Sequence, residues 1–317
     1  MLNPPPVRAL FFGTPAIAVP ALSALAEIAD IRAVICQPDR PAGRGLEQKA
    51  SPVKARALEL GLHVEQPVKV RTPEFAAWIR EQDADVALVI AYGRILTPAV
   101  LQGPRRGCIN LHASLLPKYR GAAPITWAIV GGEAETGISV MQMDEGMDTG
   151  PVFTRTAIPI GPEMTADELG VALGQLAAEL VGRDLPRIVR GELTAEPQDN
   201  DAATLAPILE KENGRIDFAL GARAVHDHVR GMTPWPGAFT TVEGKTLKIL
   251  ESRIGSEAGS SAAAPGTVIL AGKRGIEIAC GSGSLAVVRA QLEGRKPLGA
   301  AELVGGRALR EGQILGT

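Results

Sequence analysis

Strand-like and helix-like runs alternate through the first hundred residues, and no other feature limits the possible folds of this chain so strongly. Apolar stretches at Val7 to Phe12, Ile31 to Cys36, His63 to Glu65 and Val86 to Ala91 are separated by helix-like segments from about Pro15 to Ala29, around Val53 to Leu60 and around Pro73 to Gln82. Strands joined by helical crossovers run parallel, because the chain must return to the same end of the sheet before each new strand begins. The pattern predicts an α/β fold built on an open, doubly wound, mostly parallel sheet. Ligands of such sheets lie beyond the carboxyl ends of the strands. The loops at Gly13-Thr14-Pro15, at Tyr92-Gly93-Arg94 and after His112 are therefore expected to converge on one edge.

The glycine at the first strand end does not make a dinucleotide site. Gly13-Thr14-Pro15-Ala16-Ile17-Ala18 lacks the second and third glycines that let a pyrophosphate approach the backbone, and the chain has no Gly-x-x-x-x-Gly-Lys-Ser/Thr loop for a triphosphate. Gly13 reads as a tight-turn glycine. The chemistry is expected further on, in Cys108-Ile109-Asn110-Leu111-His112, where strand alternation puts Asn110 and His112 on one face and Ile109 and Leu111 on the other. A carboxylate follows at Asp148, in Met143-Asp144-Glu145-Gly146-Met147-Asp148-Thr149-Gly150.

An amide, an imidazole and a carboxylate suffice for acyl-type chemistry, although a buried Asn and His can also simply satisfy each other's hydrogen bonds. The loop that follows, Ser114-Leu115-Leu116-Pro117-Lys118-Tyr119-Arg120-Gly121, is rich in turn residues and charge, which suits a binding site. Ser114 beside His112 raises a hydrolase alternative, but it sits in no Gly-x-Ser-x-Gly elbow. No metal is expected. His63, His226 and His228 lack zinc-site spacing, and His226-Asp227-His228 reads as an exposed helix turn. Cys36, Cys108 and Cys280 are too far apart for a Cys-x-x-Cys pair and are expected as small core residues.

The 317 residues favour two domains. After a helical run from Ala166 to Val189, residues 190–206 have no sustained period and read as a linker between a domain at 1–189 and another at 207–317. The second begins with a helix at Ala222 to Gly231. Short strand-like pieces follow at Ala238 to Val242, Thr246 to Leu250, Gly266 to Leu270, Gly275 to Ala279 and Ser284 to Ala290, which suggests a small barrel or sandwich. Residues 1–206 carry a net charge of −5 and residues 207–317 carry +3. Lys273, Arg274, Arg289, Arg295, Lys296 and Arg307 are candidates for nucleic-acid phosphate contacts. A solvated charged face is the competing reading. The amino terminus has no secretory pattern and no apolar run approaches the length of a bilayer span, so a cytoplasmic protein is expected. Nothing in the sequence demands more than a monomer.

The run Asn110-x-His112-x-Ser114-Leu115-Leu116-Pro117-x-Tyr119-Arg120-Gly121, with the later Asp148-Thr149-Gly150, resembles the signature of the formyltransferases that use 10-formyltetrahydrofolate. Gln37-Pro38-Asp39-Arg40-Pro41-Ala42-Gly43-Arg44-Gly45 and Thr233-Pro234-Trp235-Pro236-Gly237-Ala238-Phe239 look like the branch acting on methionyl-tRNA. The resemblance covers essentially the whole chain. It implies the formyltransferase fold, a small OB-like β-barrel at the carboxyl end, and transfer of a formyl group to the methionine amine of initiator methionyl-tRNA. Asn110 and His112 would then donate to the oxyanion, with Asp148 orienting the imidazole or accepting the amine proton through a water.

The resemblance also places the folate donor against Gly93, Arg94, Ile95 and Leu96, against Ser114, Leu115, Leu116 and Pro117, and near the loop from Met143 to Asp148. Arg40 and Arg44 would reach the acceptor end of the tRNA. Where relatives often continue with Gly-Lys-Lys, this chain has Gly45-Leu46-Glu47, a less basic loop. Three alternatives stay open: a small-amine acceptor, a non-catalytic tRNA-binding protein, and a folate-dependent hydrolase releasing formate.

Overall fold

The computed structural model describes residues 6–42, 47–257, 263–306 and 308–316. The described residues fall into two compact units. The first comprises residues up to Pro124, Thr136–Ile158 and Gly170–Pro207; the second comprises Ile125–Glu135, Pro159–Leu169 and residues from Ile208 onward. Among the described residues no helix is long and apolar enough to cross a membrane.

The expected alternation is present in the first unit. Strands β1 (Val7–Gly13) and β2 (Ala29–Ile35) flank helix α1 (Val19–Ile28). A two-stranded ribbon follows, β3 (Arg40–Ala42) with β4 (Glu47–Lys49), and then α2 (Pro52–Glu59), β5 (Val64–Glu65), α3 (Pro73–Glu81), β6 (Val86–Ile90), α4 (Pro98–Leu101) and β7 (Cys108–His112). Local capping explains two of the helix starts. Ser51 accepts a hydrogen bond from Lys54 N and Thr72 accepts one from Phe75 N, each just before a proline at the first helical position. All five residues of β6 are buried, as expected for a strand covered on both faces.

Strand β8 (Arg120–Gly121) and helix α5 (Pro124–Val130) lead to β9 (Glu135–Gln142) and β10 (Val152–Pro159). The seven-stranded sheet has the order β10-β9-β7-β6-β1-β2-β5. It is parallel from β7 through β5, whereas β9 pairs antiparallel with β7, with His112 opposite Ser139 and Asn110 opposite Met141. A hydrophobic run reads the same in either direction, so this reversal was not visible in the sequence. Helix α6 (Ala166–Val189) is as long as expected.

The 190–206 stretch, expected as a linker, is tied into the first unit. Glu196 bridges Val152, and β11 (Leu205–Ala206) pairs parallel with β8.

In the second unit α7 (Ala222–Gly231) precedes β12 (Phe239–Val242), β13 (Lys245–Ser256), β14 (Val268–Gly272), β15 (Gly275–Ala279) and β16 (Ser284–Leu292). A short β17 (Leu298–Gly299) and α8 (Ala300–Gly305) complete it. The antiparallel order is β12-β13-β16-β15-β14. The final residues join the two outer strands: Thr267 bridges Ile314, Val268 N donates to Gln313 O, and Gly316 N donates to Thr241 O. This tail brings the sheet toward barrel closure, which removes exposed edges.

Two expectations about buried groups divide. All three cysteines are buried and free, as expected for core residues, and burial pushes the Cys108 thiol up to about 12. The His226-Asp227 pair is not an exposed turn: both side chains are buried. His226 Nδ1 lies 3.0 Å from Ser252 Oγ, and Arg230 binds Asp227 at 2.8 Å while donating to Met164 O at 2.9 Å. Ser252 and the 161–164 backbone, distant in sequence, satisfy His226 and Arg230, while Arg230 satisfies Asp227 within the helix, so the polarity of the helix was a poor guide to its exposure.

Candidate active site

Asn110 and His112 share one face of β7, as strand alternation requires, and both are buried. Asp148 reaches them from the loop between β9 and β10. Asn110 Nδ2 donates to Asp148 Oδ1 at 3.4 Å, and His112 Nδ1 stands 3.6 Å from Asp148 Oδ2. The other imidazole nitrogen, Nε2, donates to Tyr119 O at 2.9 Å. Both ring nitrogens thus face acceptors, which fixes the plane of the imidazole. Gly121 N donates to Asp148 Oδ2 at 2.9 Å, so the carboxylate is aimed by backbone as well as by side chains.

Two of these contacts rest on unusual backbone. Tyr119 and Asp148 have φ of 60° and 55°, the left-handed region that L side chains seldom occupy. Such residues persist only where surrounding contacts hold them. Gly121 has φ of 124°, and a Cβ there would lie 2.5 Å from Ala206 O, so this position admits only glycine without movement.

Sequence reasoning missed the residues that hold the loop. Gln198, buried, donates from Nε2 to Asp148 O and Gly150 O, each at 2.7 Å. Its Oε1 accepts from Arg120 Nη2 at 2.8 Å, and Arg120 also donates to Asn200 Oδ1 at 2.8 Å. Tyr119 N donates to Thr204 Oγ1 at 2.8 Å. These are side-chain contacts across about 50 to 85 residues, with no local period to betray them.

The loop after β7 is braced from within. Ser114 Oγ donates to Lys118 O at 2.6 Å, Leu116 N donates to Ser139 Oγ at 2.9 Å, and Arg155 Nε donates to Leu116 O at 2.6 Å. The Leu116-Pro117 peptide is cis. Ser114 therefore has no contact with His112 that would activate it as a nucleophile. At the neighbouring end of β6, Ala91 also has positive φ, and Gly93 through Leu96 follow. Leu96 is buried, Ile95 is 69% exposed, and Arg94 donates to Val68 O at 2.6 Å. A cavity of about 450 Å³ lies by the amino end of β7 and the first residues of the β9-β10 loop, lined by Pro98, Leu101, Arg106, Gly107, Met143 and Asp144 among others, and none of Asn110, His112 and Asp148 lines it.

The basic candidates of the second unit collect at one end of its sheet. Lys273 and Arg274 form the tip between β14 and β15, beside the strand ends that lead to Arg295 and Lys296, and Arg289 lies on β16 opposite Glu251. The start of β13 pairs with the end of β16 and adds Lys245 and Lys248, which the sequence reading did not single out. Arg40 enters the β3-β4 ribbon, paired in register with Lys49, whereas Arg44 and Arg307 lie outside the described residues. Among the described residues no group of three or more His, Cys, Asp or Glu side chains is arranged to hold a metal.

Comparison with known proteins matches these features to one family. Residues 8–183 match the Formyl transferase family and residues 208–308 the Formyl transferase, C-terminal domain. The chain is 66% identical over 310 residues to the methionyl-tRNA formyltransferase of Sorangium cellulosum, covering 98% of this chain and 100% of that one. It is 48% identical to the enzyme of the same name from Geobacter metallireducens, covering 97% and 98%. Its fold is similar to that of a Helicobacter canadensis N-formyltransferase solved with folinic acid and dTDP-3-aminofucose, with a TM-score of 0.66 at 20% identity over 89% of this chain and 99% of that one. With two domain matches in order and close relatives aligned along nearly the full length, the chain belongs to the methionyl-tRNA formyltransferase family.

Proposed function

We propose that this enzyme transfers the formyl group of 10-formyltetrahydrofolate to the α-amine of methionine on initiator methionyl-tRNA, by direct attack of the amine. The observation that carries the reading is the buried trio, in which one carboxylate contacts both Asn110 and His112. The amine lone pair attacks the formyl carbon, and the carbonyl oxygen takes up negative charge. Asn110 Nδ2 has a second hydrogen to aim at that oxygen, and His112 supplies the other donor once its Nε2–H turns from Tyr119 O to the oxyanion. Collapse of the tetrahedral species breaks the bond to the folate nitrogen, which takes a proton in place of the formyl group. Asp148 receives the proton shed by the amine, through the imidazole or a water, and returns it by the same route to the departing folate nitrogen, so no net proton is left on the enzyme. No side-chain nucleophile is required.

The donor's pterin is assigned to the polar backbone of the 143–148 loop, with Leu96, Ile95 and Leu115 as apolar walls and Gly93, Arg94, Ser114, Leu116 and Pro117 shaping the remainder. Backbone amides and carbonyls at such loop edges can match a pterin's donors and acceptors, which supports the assignment. The first unit, completed by residues 190–206, carries the chemistry and residues 207–317 hold RNA, with Lys273, Arg274, Arg289, Arg295 and Lys296 on phosphates and Arg40 and Arg44 at the acceptor end. The enzyme acts as a cytoplasmic monomer.

The test is transfer of labelled formyl from 10-formyltetrahydrofolate, run with methionyl-tRNA, with a small amine and without acceptor. Label on the charged tRNA alone supports the reading; label on the small amine, or formate released in every tube, overturns the acceptor assignment. Arg44→Ala should weaken salt-dependent tRNA binding, and unchanged binding would remove the arginine from the RNA surface.

A further inference from the structure

The ribbon that carries Arg40 is anchored at its neck. Asp39 immediately precedes β3, and Lys54 lies in the first turn of α2, shortly after β4. Lys54 Nζ donates to Asp39 Oδ2 at 2.5 Å, closing the neck across both strands. Gln66 fills the remaining valences. Its Oε1 accepts from Lys54 Nζ at 2.7 Å, and its Nε2 lies 2.8 Å from Asp39 Oδ1 and 2.9 Å from Gln37 O. Gln37 then continues inward: its Nε2 donates to Tyr92 O at 2.8 Å, and its N donates to Thr14 Oγ1 at 3.2 Å. A Cβ on Gly93 would stand 2.8 Å from Gln37 Nε2, so the amide lies against the strand end that begins the proposed donor site.

We propose that Gln37, Asp39, Lys54 and Gln66 are positioning residues that aim the β3-β4 ribbon at the RNA acceptor and couple its placement to donor binding at Tyr92–Gly93. The inference rests on the proposed role of the ribbon in tRNA engagement. The geometry supports it over an incidental surface pair. The ion pair is only partly exposed, with side chains 22% and 18% accessible, and each of its partners is bound again by Gln66. Lys54 and then Gln66 hold the Asp39 carboxyl below the usual carboxylate range. Since Gln37 touches Tyr92 O, a shift at that strand end on donor binding reaches the ribbon through two hydrogen-bonded side chains. Coupling between two ligands is reciprocal, so donor must tighten tRNA by the same factor as tRNA tightens donor.

The test uses the full chain with Lys54→Met, which keeps length but removes charge and donors, and with Asp39→Asn, which keeps shape. Lys54→Arg is the rescue. KM for methionyl-tRNA, KM for 10-formyltetrahydrofolate and the melting temperature are measured for each, together with tetrahydrofolate affinity in the absence of tRNA and tRNA affinity with and without tetrahydrofolate. The expected result for Lys54→Met is a rise of about tenfold in KM for tRNA, tetrahydrofolate affinity in the absence of tRNA and melting temperature near wild type, and loss of the effect of tetrahydrofolate on tRNA affinity. Asp39→Asn should follow in the same direction, and Lys54→Arg should restore most of the loss.

If Lys54→Met left KM for tRNA within twofold of wild type while Arg44→Ala raised it, the positioning role would be overturned and the ribbon's RNA role would stand. If Arg44→Ala were inert as well, the RNA role of the ribbon would itself fail. Equal rises in both KM values with a lowered melting temperature would reduce the cluster to a structural pin and overturn the inference.

Discussion

Replacing Gln198 with alanine tests the account of the active site most directly, because this side chain touches no reacting group yet holds the loop that presents Asp148. It makes four hydrogen bonds: two to Arg120, at 2.8 and 3.1 Å, and one each to Asp148 O and Gly150 O at 2.7 Å. A typical net contribution of about 1 kcal/mol per bond gives roughly 4 kcal/mol, part of which water recovers on entering the vacated space. A loss of about 3 kcal/mol in the first unit lowers its melting temperature by roughly 6 to 12 °C. The catalytic effect is separate. Asp148 occupies a left-handed conformation that costs about 1 to 3 kcal/mol and is kept by its neighbours. Without the clamp it relaxes, and kcat should fall at least about tenfold, the equivalent of roughly 1.4 kcal/mol.

Gln198→Glu separates the two effects. A carboxylate there strengthens the bond to Arg120, so stability returns in part, but it sets acceptor oxygens against the carbonyls of Asp148 and Gly150. Thermal unfolding followed by circular dichroism, paired with kcat at saturating substrates, reads both quantities. A melting temperature within 2 °C of wild type and kcat within about twofold for Gln198→Ala would refute the reasoning from these.

Three further outcomes follow from the same geometry. Asn110→Ala removes one proposed oxyanion donor and should lower kcat by roughly 10²- to 10³-fold, with substrate affinity little changed in equilibrium binding; a smaller loss than tenfold would exclude that role. Gly121→Ala drives a Cβ toward Ala206 O at positive φ and should destabilise the first unit by about 2 to 5 kcal/mol, seen as a shifted denaturation midpoint. Burial lowers the pKa of His228 below its ordinary 6.5, against a weaker opposing hydrogen bond with the Gly214 backbone. The folded state therefore binds that proton less readily than the unfolded chain. The stability His228 confers is present above about pH 6.5 and is lost as pH falls toward the depressed value, so urea midpoints of His228→Gln should depend less on pH in that window than those of wild type.

Local regularity made part of this molecule legible in advance. The period of two put Asn110 and His112 on a common face, the strand-helix alternation located the sheet, and glycine punctuation located β12 through β16. Contacts without period were not legible. Gln198, Asn200 and Thr204 sit in a polar stretch that reads as a linker, yet each donates to or accepts from the loop after β7 or the loop carrying Asp148. His226 and Arg230 look like surface residues, since only the fold brings Ser252 and the 161–164 backbone to them, and Asp227 is buried with its partner Arg230. The reversal at β9 and the joining of β12 to β14 by residues 313–316 are likewise decisions of tertiary packing. Apolar content fixes burial but not strand direction.

Pairing β11 with β8 also has a consequence for how the enzyme comes into being. Domains generally fold as units, amino-terminal first, while the chain is still being synthesised. Here the pocket wall cannot be finished when α6 is complete, because Gln198, Thr204 and Ala206 have yet to emerge. A nascent chain ending at residue 189 holds every atom of Asn110, His112 and Asp148 but none of the groups from 196 to 206 that brace their loops. Competence should arrive late and abruptly, once the segment leading to the second unit has laid itself against Arg120 and Gly121. A chain cut just after α6 should be a folded sheet with a slack, inactive loop.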